Sequence, residues 1–69
     1  MDYIKWAKEY EVEANRISAL IRQLTAERKA IRGSKGKAAI SAKIEYYRKI
    51  LREMQSTALT LRERGNNEH

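Results

Sequence analysis

The stretch IRGSKGK, residues 31–37, carries two of the chain's three glycines and separates two long segments rich in helix-forming residues. The 69-residue chain contains no proline, so each segment can form one uninterrupted helix. Gly33 follows the last apolar residue of the first segment, and basic side chains occupy the turn before it. This pattern is typical of a helix C-terminus, where glycine adopts the left-handed conformation. Ser34 or Ser41 could cap the next helix, and with Ser34, the better placed of the two, the stretch predicts a bend at 33–36.

Apolar residues recur at intervals of three and four on both sides of this bend, which is the heptad-type period of one helix face. In the second segment the stripe has no exception and consists of Ile40, Ile44, Tyr47, Leu51, Met54, Ala58 and Leu61. In the first segment it has one violation, Arg28, and otherwise consists of Tyr3, Ala7, Tyr10, Ala14, Ile17, Ile21, Leu24 and Ile31. The two stripes predict two amphipathic helices.

The bounds of the helices follow from their stop signals. Helix one is expected over about 2–32 and helix two over about 37–64, where Gly65 ends it and leaves a frayed tail at 65–69. A bend this short makes the two helices antiparallel neighbours. The predicted fold class is therefore all-α, an antiparallel two-helix hairpin that forms a single domain.

The two stripes fit each other in one register. Four apolar pairs then meet, namely Ile31 with Ile40, Leu24 with Tyr47, Ile17 with Met54, and Tyr10 with Leu61. The same register places Glu9 near Arg62 and Ala7 near Arg64 at the open end of the hairpin. The predicted hairpin core consists of Tyr10, Ile17, Ile21, Leu24, Ile31, Ile40, Ile44, Tyr47, Leu51, Met54 and Leu61.

Arg28 interrupts the first stripe one turn before the bend. Its aliphatic stem can lie in the seam between the helices while the guanidinium reaches solvent, and this is the interpretation we favour. The alternative is a pair with Glu45, or with an acidic group of another chain, that fixes the register of the helices.

The apolar faces are wider than a two-helix seam needs. A chain of 69 residues without cysteine has no disulfide to stabilise it, so self-association or a partner is expected. The residues beyond the seam are Trp6, Leu20, Tyr46 and Ile50, and they form a possible oligomer interface. We expect a homodimer in which two hairpins form a four-helix bundle. The alternative is that the hairpin is one part of a hetero-complex.

Basic residues concentrate around the bend. The chain has 15 Lys and Arg against 9 Asp and Glu, a net charge of +6. The possible contacts to an anion or to nucleic acid are Arg22, Lys29, Arg32, Lys35, Lys37 and Lys43. This end of the hairpin is expected to meet an acidic protein partner or, alternatively, the phosphates of DNA or RNA without sequence specificity. The glycine spacing and the preceding helix argue against a nucleotide-binding phosphate loop.

Catalytic chemistry finds no support in the sequence. There is no cysteine, and the single histidine, His69, is the last residue, so no nucleophilic site or metal centre is expected, nor any cofactor.

No run approaches the roughly 18 apolar residues of a membrane span. Charged residues throughout the N-terminus argue against a signal peptide, so a cytoplasmic protein without membrane contact is expected. The predicted function is a non-enzymatic interaction or regulatory module. A nucleic-acid-binding protein and a purely structural assembly unit are the alternatives.

Overall fold

The chain folds as an all-helical hairpin. In this computed structural model, which describes residues 2–67, helix α1 covers Tyr3–Ala30 and helix α2 covers Ser34–Asn67, and the two pack against each other. The described part is a rod of 55 × 14 × 12 Å and contains no strand. The prediction of two packed helices is confirmed. Neither helix, within the part of the chain described, is long and apolar enough to cross a membrane.

Helix α1 begins with a capped first turn and ends earlier than expected. The side chain of Asp2 accepts a hydrogen bond from the backbone N–H of Lys5 at 2.9 Å, which satisfies one of the free donors of the helix N-terminus. At the other end, Ile31 is extended, with φ −85° and ψ 131°, and its N–H bonds to the carbonyl of Arg28. The helix therefore ends at Ala30, two residues before the predicted end.

The bend lies at 31–33 and not at 33–36 as predicted. Among the described residues no glycine has a positive φ, so the left-handed role assigned to Gly33 is wrong. The extended conformation of Ile31 redirects the chain, and no left-handed residue is then needed. The carbonyl of Gly33 accepts from the N–H of Lys37 at 3.1 Å, which makes Ser34 the first helical residue rather than the cap.

Helix α2 continues through Gly65, which was predicted to stop it. A Cβ atom at this position would lie 2.7 Å from Cδ1 and 2.8 Å from Cγ1 of Ile4. Gly65 lies four residues after Leu61, so it continues the apolar stripe as a position where α1 approaches closely. The predicted frayed tail is therefore helical as far as Asn67, and residues 68 and 69 lie outside the described residues.

The seam between the helices is thin. Within residues 2–67, only three large side chains in it are buried, Leu24, Ile44 and Leu61, and Ile44 is the most enclosed of them at 2% exposure. Three alanines, Ala7, Ala14 and Ala58, make up the rest of the buried set. The other predicted core residues are only half-buried, namely Tyr10, Ile17, Ile21, Ile31, Ile40, Tyr47, Leu51 and Met54. Two helices alone leave most of their apolar stripe partly in contact with water.

Candidate interaction surfaces

The polar flank is the side of the seam that contains Glu11, Ser41 and Arg62. Across it, Arg62 Nε donates to Glu11 Oε2 and Arg62 Nη2 donates to Glu11 Oε1, both at 2.6 Å. The two side chains are each 40% exposed. The hydrogen bond from Arg62 lowers the pKa of Glu11 below its usual value of 4.5, and the same bond raises the pKa of Arg62.

This pair replaces the one predicted from the sequence. Glu9 was expected near Arg62, but Glu9 is exposed and Glu11 makes the contact. The reason is position: Glu11 directly follows Tyr10, so it lies on the edge of the stripe, where side chains of an antiparallel pair meet across the seam. That spacing was present in the sequence and could have identified Glu11.

Arg28 also contacts the polar flank. Its Nη1 donates to Ser41 Oγ on the facing helix at 3.3 Å, and the residue is half-buried. Glu45, the alternative partner considered above, instead bonds to Arg48 within its own helix at 3.5 Å. The pair with Glu45 does not form, and the half-buried position of Arg28 leaves part of its side chain in contact with solvent. Arg28 forms a cross-helix hydrogen bond.

The apolar flank, defined by Trp6, Leu20, Tyr46 and Ile50, lies on the other side of the seam. Trp6 is 42% exposed and Tyr46 is 63% exposed, whereas Leu20 and Ile50 are half-buried. Ile50 follows Tyr46 by one helical turn, so the two lie on the same face of α2. A large part of each aromatic ring is thus in contact with water.

A groove of 430 Å³ lies on the apolar flank near the turn end. Its walls come from both helices and consist of Leu20, Leu24, Ala42, Lys43, Tyr46 and Tyr47. The rings of Tyr46 and Tyr47 meet edge to face with centroids 5.5 Å apart. This arrangement suits a packed aromatic pair and leaves the outer face of Tyr46 available. Chemically, the groove can receive an apolar side chain.

Among the described residues, Leu59 and Val12 are the other large exposed apolar side chains, at 60% and 51% exposure. Leu59 lies nine positions after Ile50, which places it half a turn away, on the opposite side of α2. Single exposed apolar residues of this kind are common on protein surfaces. Leu59 does not extend the apolar flank.

The turn end is strongly basic. All six predicted contact residues are exposed, namely Arg22, Lys29, Arg32, Lys35, Lys37 and Lys43. None of them forms an ion pair within residues 2–67. Residues 18–53, the half of the rod nearer the turn, carry ten cations and three acids, a net charge of +7. Residues 2–17 with 54–67 carry five of each, a net charge of zero.

Within the described residues, no three acidic or histidine side chains come together as a group that could hold a metal ion. A comparison with protein-family models, curated proteins and solved structures finds no match. The surfaces themselves are therefore the basis for a functional hypothesis.

Proposed function

We propose that this chain is a non-enzymatic interaction module that pairs with a second copy of itself and presents its basic turn end to an acidic partner. The apolar flank is the observation that carries the proposal. It places two partly exposed aromatic rings, Leu20, Ile50 and an apolar groove on one side of a rod.

The energetics favour covering this flank. Removing a large apolar side chain from water contributes about 1.5–3 kcal/mol when burial is complete. In a twofold dimer each flank residue is present twice, so four partly exposed side chains become eight. Since the seam of one hairpin buries only three large side chains, a second hairpin adds a substantial share of the core. Two hairpins joined in this way form a four-helix bundle.

The substitution Ile50→Asp tests the self-association. A carboxylate at the centre of the covered flank has no partner there, and we expect the mass measured by sedimentation equilibrium to fall from two chains to one. Leu59→Asp is the matched control, because it introduces the same charge on the opposite side of α2. It should leave the mass at two chains. Equal masses for the two variants would contradict the proposal.

The second part of the proposal concerns the basic turn end. Six exposed cations without an acidic partner in the described chain favour a polyanionic ligand, and a net charge of +7 in this half attracts one at long range. An acidic protein surface is the primary candidate. Nucleic acid is the second candidate, because the same side chains can neutralise phosphates without reading sequence.

Paired charge reversals test this end. Lys35→Glu with Lys37→Glu changes the turn end, and Lys5→Glu with Lys8→Glu changes the open end by the same charge. The probes are polyglutamate and mixed-sequence duplexes of DNA and RNA, with binding followed by fluorescence anisotropy at several salt concentrations. We expect the first pair to weaken binding at least tenfold and the second pair to have a much smaller effect. Tight binding of polyglutamate alone supports the acidic-protein candidate, and tight binding of duplexes supports the nucleic-acid candidate. Equal effects of the two pairs would contradict a role for the turn end.

The cytoplasmic location expected from the sequence stays a prediction.

A further inference from the structure

The cations of the turn half are not spread evenly around the rod. On α1, Ser18 and Thr25 follow Glu11 at intervals of seven residues, so they continue its row along the polar flank. Both are half-buried, as expected at the edge of the seam. Arg22 and Lys29 each follow one of them by a single turn and are exposed. These two cations therefore lie on the outer side of the polar flank.

Helix α2 places two arginines on the same flank. Arg48 follows Ser41 by seven residues, Arg52 follows Arg48 by one turn, and both arginines are exposed. One acid, Glu45, lies among them and bonds to Arg48 at 3.5 Å. We define the basic face as Arg22, Lys29, Arg48 and Arg52. With Glu45 included, these four cations and one acid have a net charge of +3.

The apolar flank of the turn half does not share this charge. Seven-residue spacing from Leu20, Ile50 and Tyr46 places three charged side chains there. They are Glu27, Lys43 and Glu53, with a net charge of −1. Since the basic face lies on the other side of the seam, a second copy bound on the apolar flank leaves it uncovered in either orientation.

The composition of the basic face distinguishes between the two candidate partners of the turn half. Interfaces between proteins contain a buried centre with large apolar or aromatic anchors. On the polar flank of residues 18–53, all of which the structure describes, no large apolar side chain is exposed. Interfaces with nucleic acid are more polar and much more positively charged. The basic face therefore favours nucleic acid over an acidic protein surface.

The positions of the aromatic rings favour a duplex over a single strand, because single strands are bound by stacking their bases on aromatic side chains. Trp6 and Tyr46 lie on the apolar flank, and Tyr47 is half-buried in the seam. Tyr3 and Tyr10 belong to the stripe of α1 near the open end. The basic face thus offers contacts to phosphates without a platform for stacking.

We propose that double-stranded nucleic acid binds against the basic face and that Arg22, Lys29, Arg48 and Arg52 contact its phosphates. This inference rests on the proposed binding of a polyanion by the turn half. It adds Arg48 and Arg52, which are not among the contacts predicted from the sequence. Arginine binds phosphate oxygens through two parallel N–H bonds. Such contacts read no base, so the binding is independent of sequence and weakens steeply with salt.

Two pairs of neutral substitutions test the basic face. Arg22→Gln with Arg48→Gln removes two of its cations. Arg16→Gln with Lys43→Gln removes two from the apolar side of the hairpin, where Arg16 precedes Leu20 by one turn. The pairs are matched, because each contains one arginine bonded to a glutamate three positions before it and one cation without an ion pair in the described chain. The probe is a mixed-sequence DNA duplex, with binding followed by fluorescence anisotropy at several salt concentrations.

We expect the basic-face pair to weaken duplex binding about tenfold or more and to reduce the slope of log K against log salt concentration by about 2. The control pair should leave the slope close to that of the unaltered chain, because its cations do not contact phosphates. Equal changes for the two pairs would overturn the basic face. Circular dichroism of each variant verifies that the helical fold is retained, so that the comparison reports binding.

Other outcomes separate this inference from the proposed function. A loss of duplex binding for Lys35→Glu with Lys37→Glu, and none for the basic-face pair, would overturn the basic face and keep the turn end. Binding of polyglutamate without binding of the duplex would overturn nucleic acid as the partner and keep the acidic-protein candidate. If the unaltered chain binds neither probe, the inference and the proposed polyanion binding both fail.

Discussion

The two flanks of the hairpin differ in whether they are complete. On the polar flank, the functional groups find partners on the facing helix, as the bonds from Arg62 to Glu11 and from Arg28 to Ser41 show. On the apolar flank, Tyr46 is 63% exposed and Trp6 is 42% exposed. A single hairpin therefore provides partners for its own polar groups but does not cover its own apolar surface. The apolar flank is the side on which we expect another chain to bind.

We expect the largest change in stability from a substitution in the seam between the two flanks. Ile44 is its most enclosed large side chain, so Ile44→Ala should lower the free energy of unfolding by about 2–4 kcal/mol. Chemical denaturation monitored by circular dichroism measures this. Val12→Ala is the control, because Val12 is 51% exposed, and it should change the stability by about 0.5 kcal/mol or less. Similar losses for both variants would mean that the seam is not the core.

The polar flank is tested by pH. Since Arg62 holds the pKa of Glu11 below its usual 4.5, the folded chain binds this proton less readily than the unfolded chain. The pair therefore stabilises the fold above that value, and the contribution disappears as the pH falls through the lowered pKa of folded Glu11. We expect Glu11→Gln to lower the thermal midpoint at pH 7, and the difference from the unaltered chain should shrink toward pH 3.

Glu9→Gln is the control for that experiment, because Glu9 forms no ion pair in the part of the chain that the structure describes. Its thermal midpoint should match that of the unaltered chain at both pH values. A loss for Glu9→Gln in place of Glu11→Gln would restore the pair predicted from the sequence and would contradict the polar flank as the structure has it.

The glycines give the smallest expected effects. Gly33 has open space around it and a φ compatible with alanine, so Gly33→Ala should raise the stability by about 0.4–1 kcal/mol. At Gly65 the added methyl group meets Ile4, so Gly65→Ala should lower the stability by about 0.5–1 kcal/mol despite its better helix propensity. Thermal denaturation of both variants decides this, and a gain at Gly65 would show that the close approach of the helices is unimportant.

The apolar period predicted the hairpin because it depends only on which faces two helices can bury. The bend was misplaced because the chain turns at the extended residue Ile31, and neither composition nor the apolar period specifies that conformation. Gly65 was misread because glycine has two roles. We took Gly65 as the end of a helix, but it lies inside α2 where Ile4 of α1 approaches closely. Its spacing of four residues from Leu61 continued the apolar stripe and was consistent with this second role.

The surfaces were predictable to different degrees. The exposed cations followed from their position in the sequence. The pairing of Glu11 with Arg62 could have been predicted from the spacing, because Glu11 directly follows Tyr10 at the edge of the apolar stripe. The groove beside Tyr46 required the detailed geometry of the seam, because its walls come from both helices.

The most direct test of the account is the absolute mass of the unaltered chain, measured by light scattering on a sizing column at moderate salt after nuclease treatment. The account predicts twice the chain mass of 8.1 kDa, with the apolar flank covered by a second copy. A helical protein with the mass of one chain would contradict the central claim, because Trp6, Leu20, Tyr46 and Ile50 would then face solvent or await a different protein.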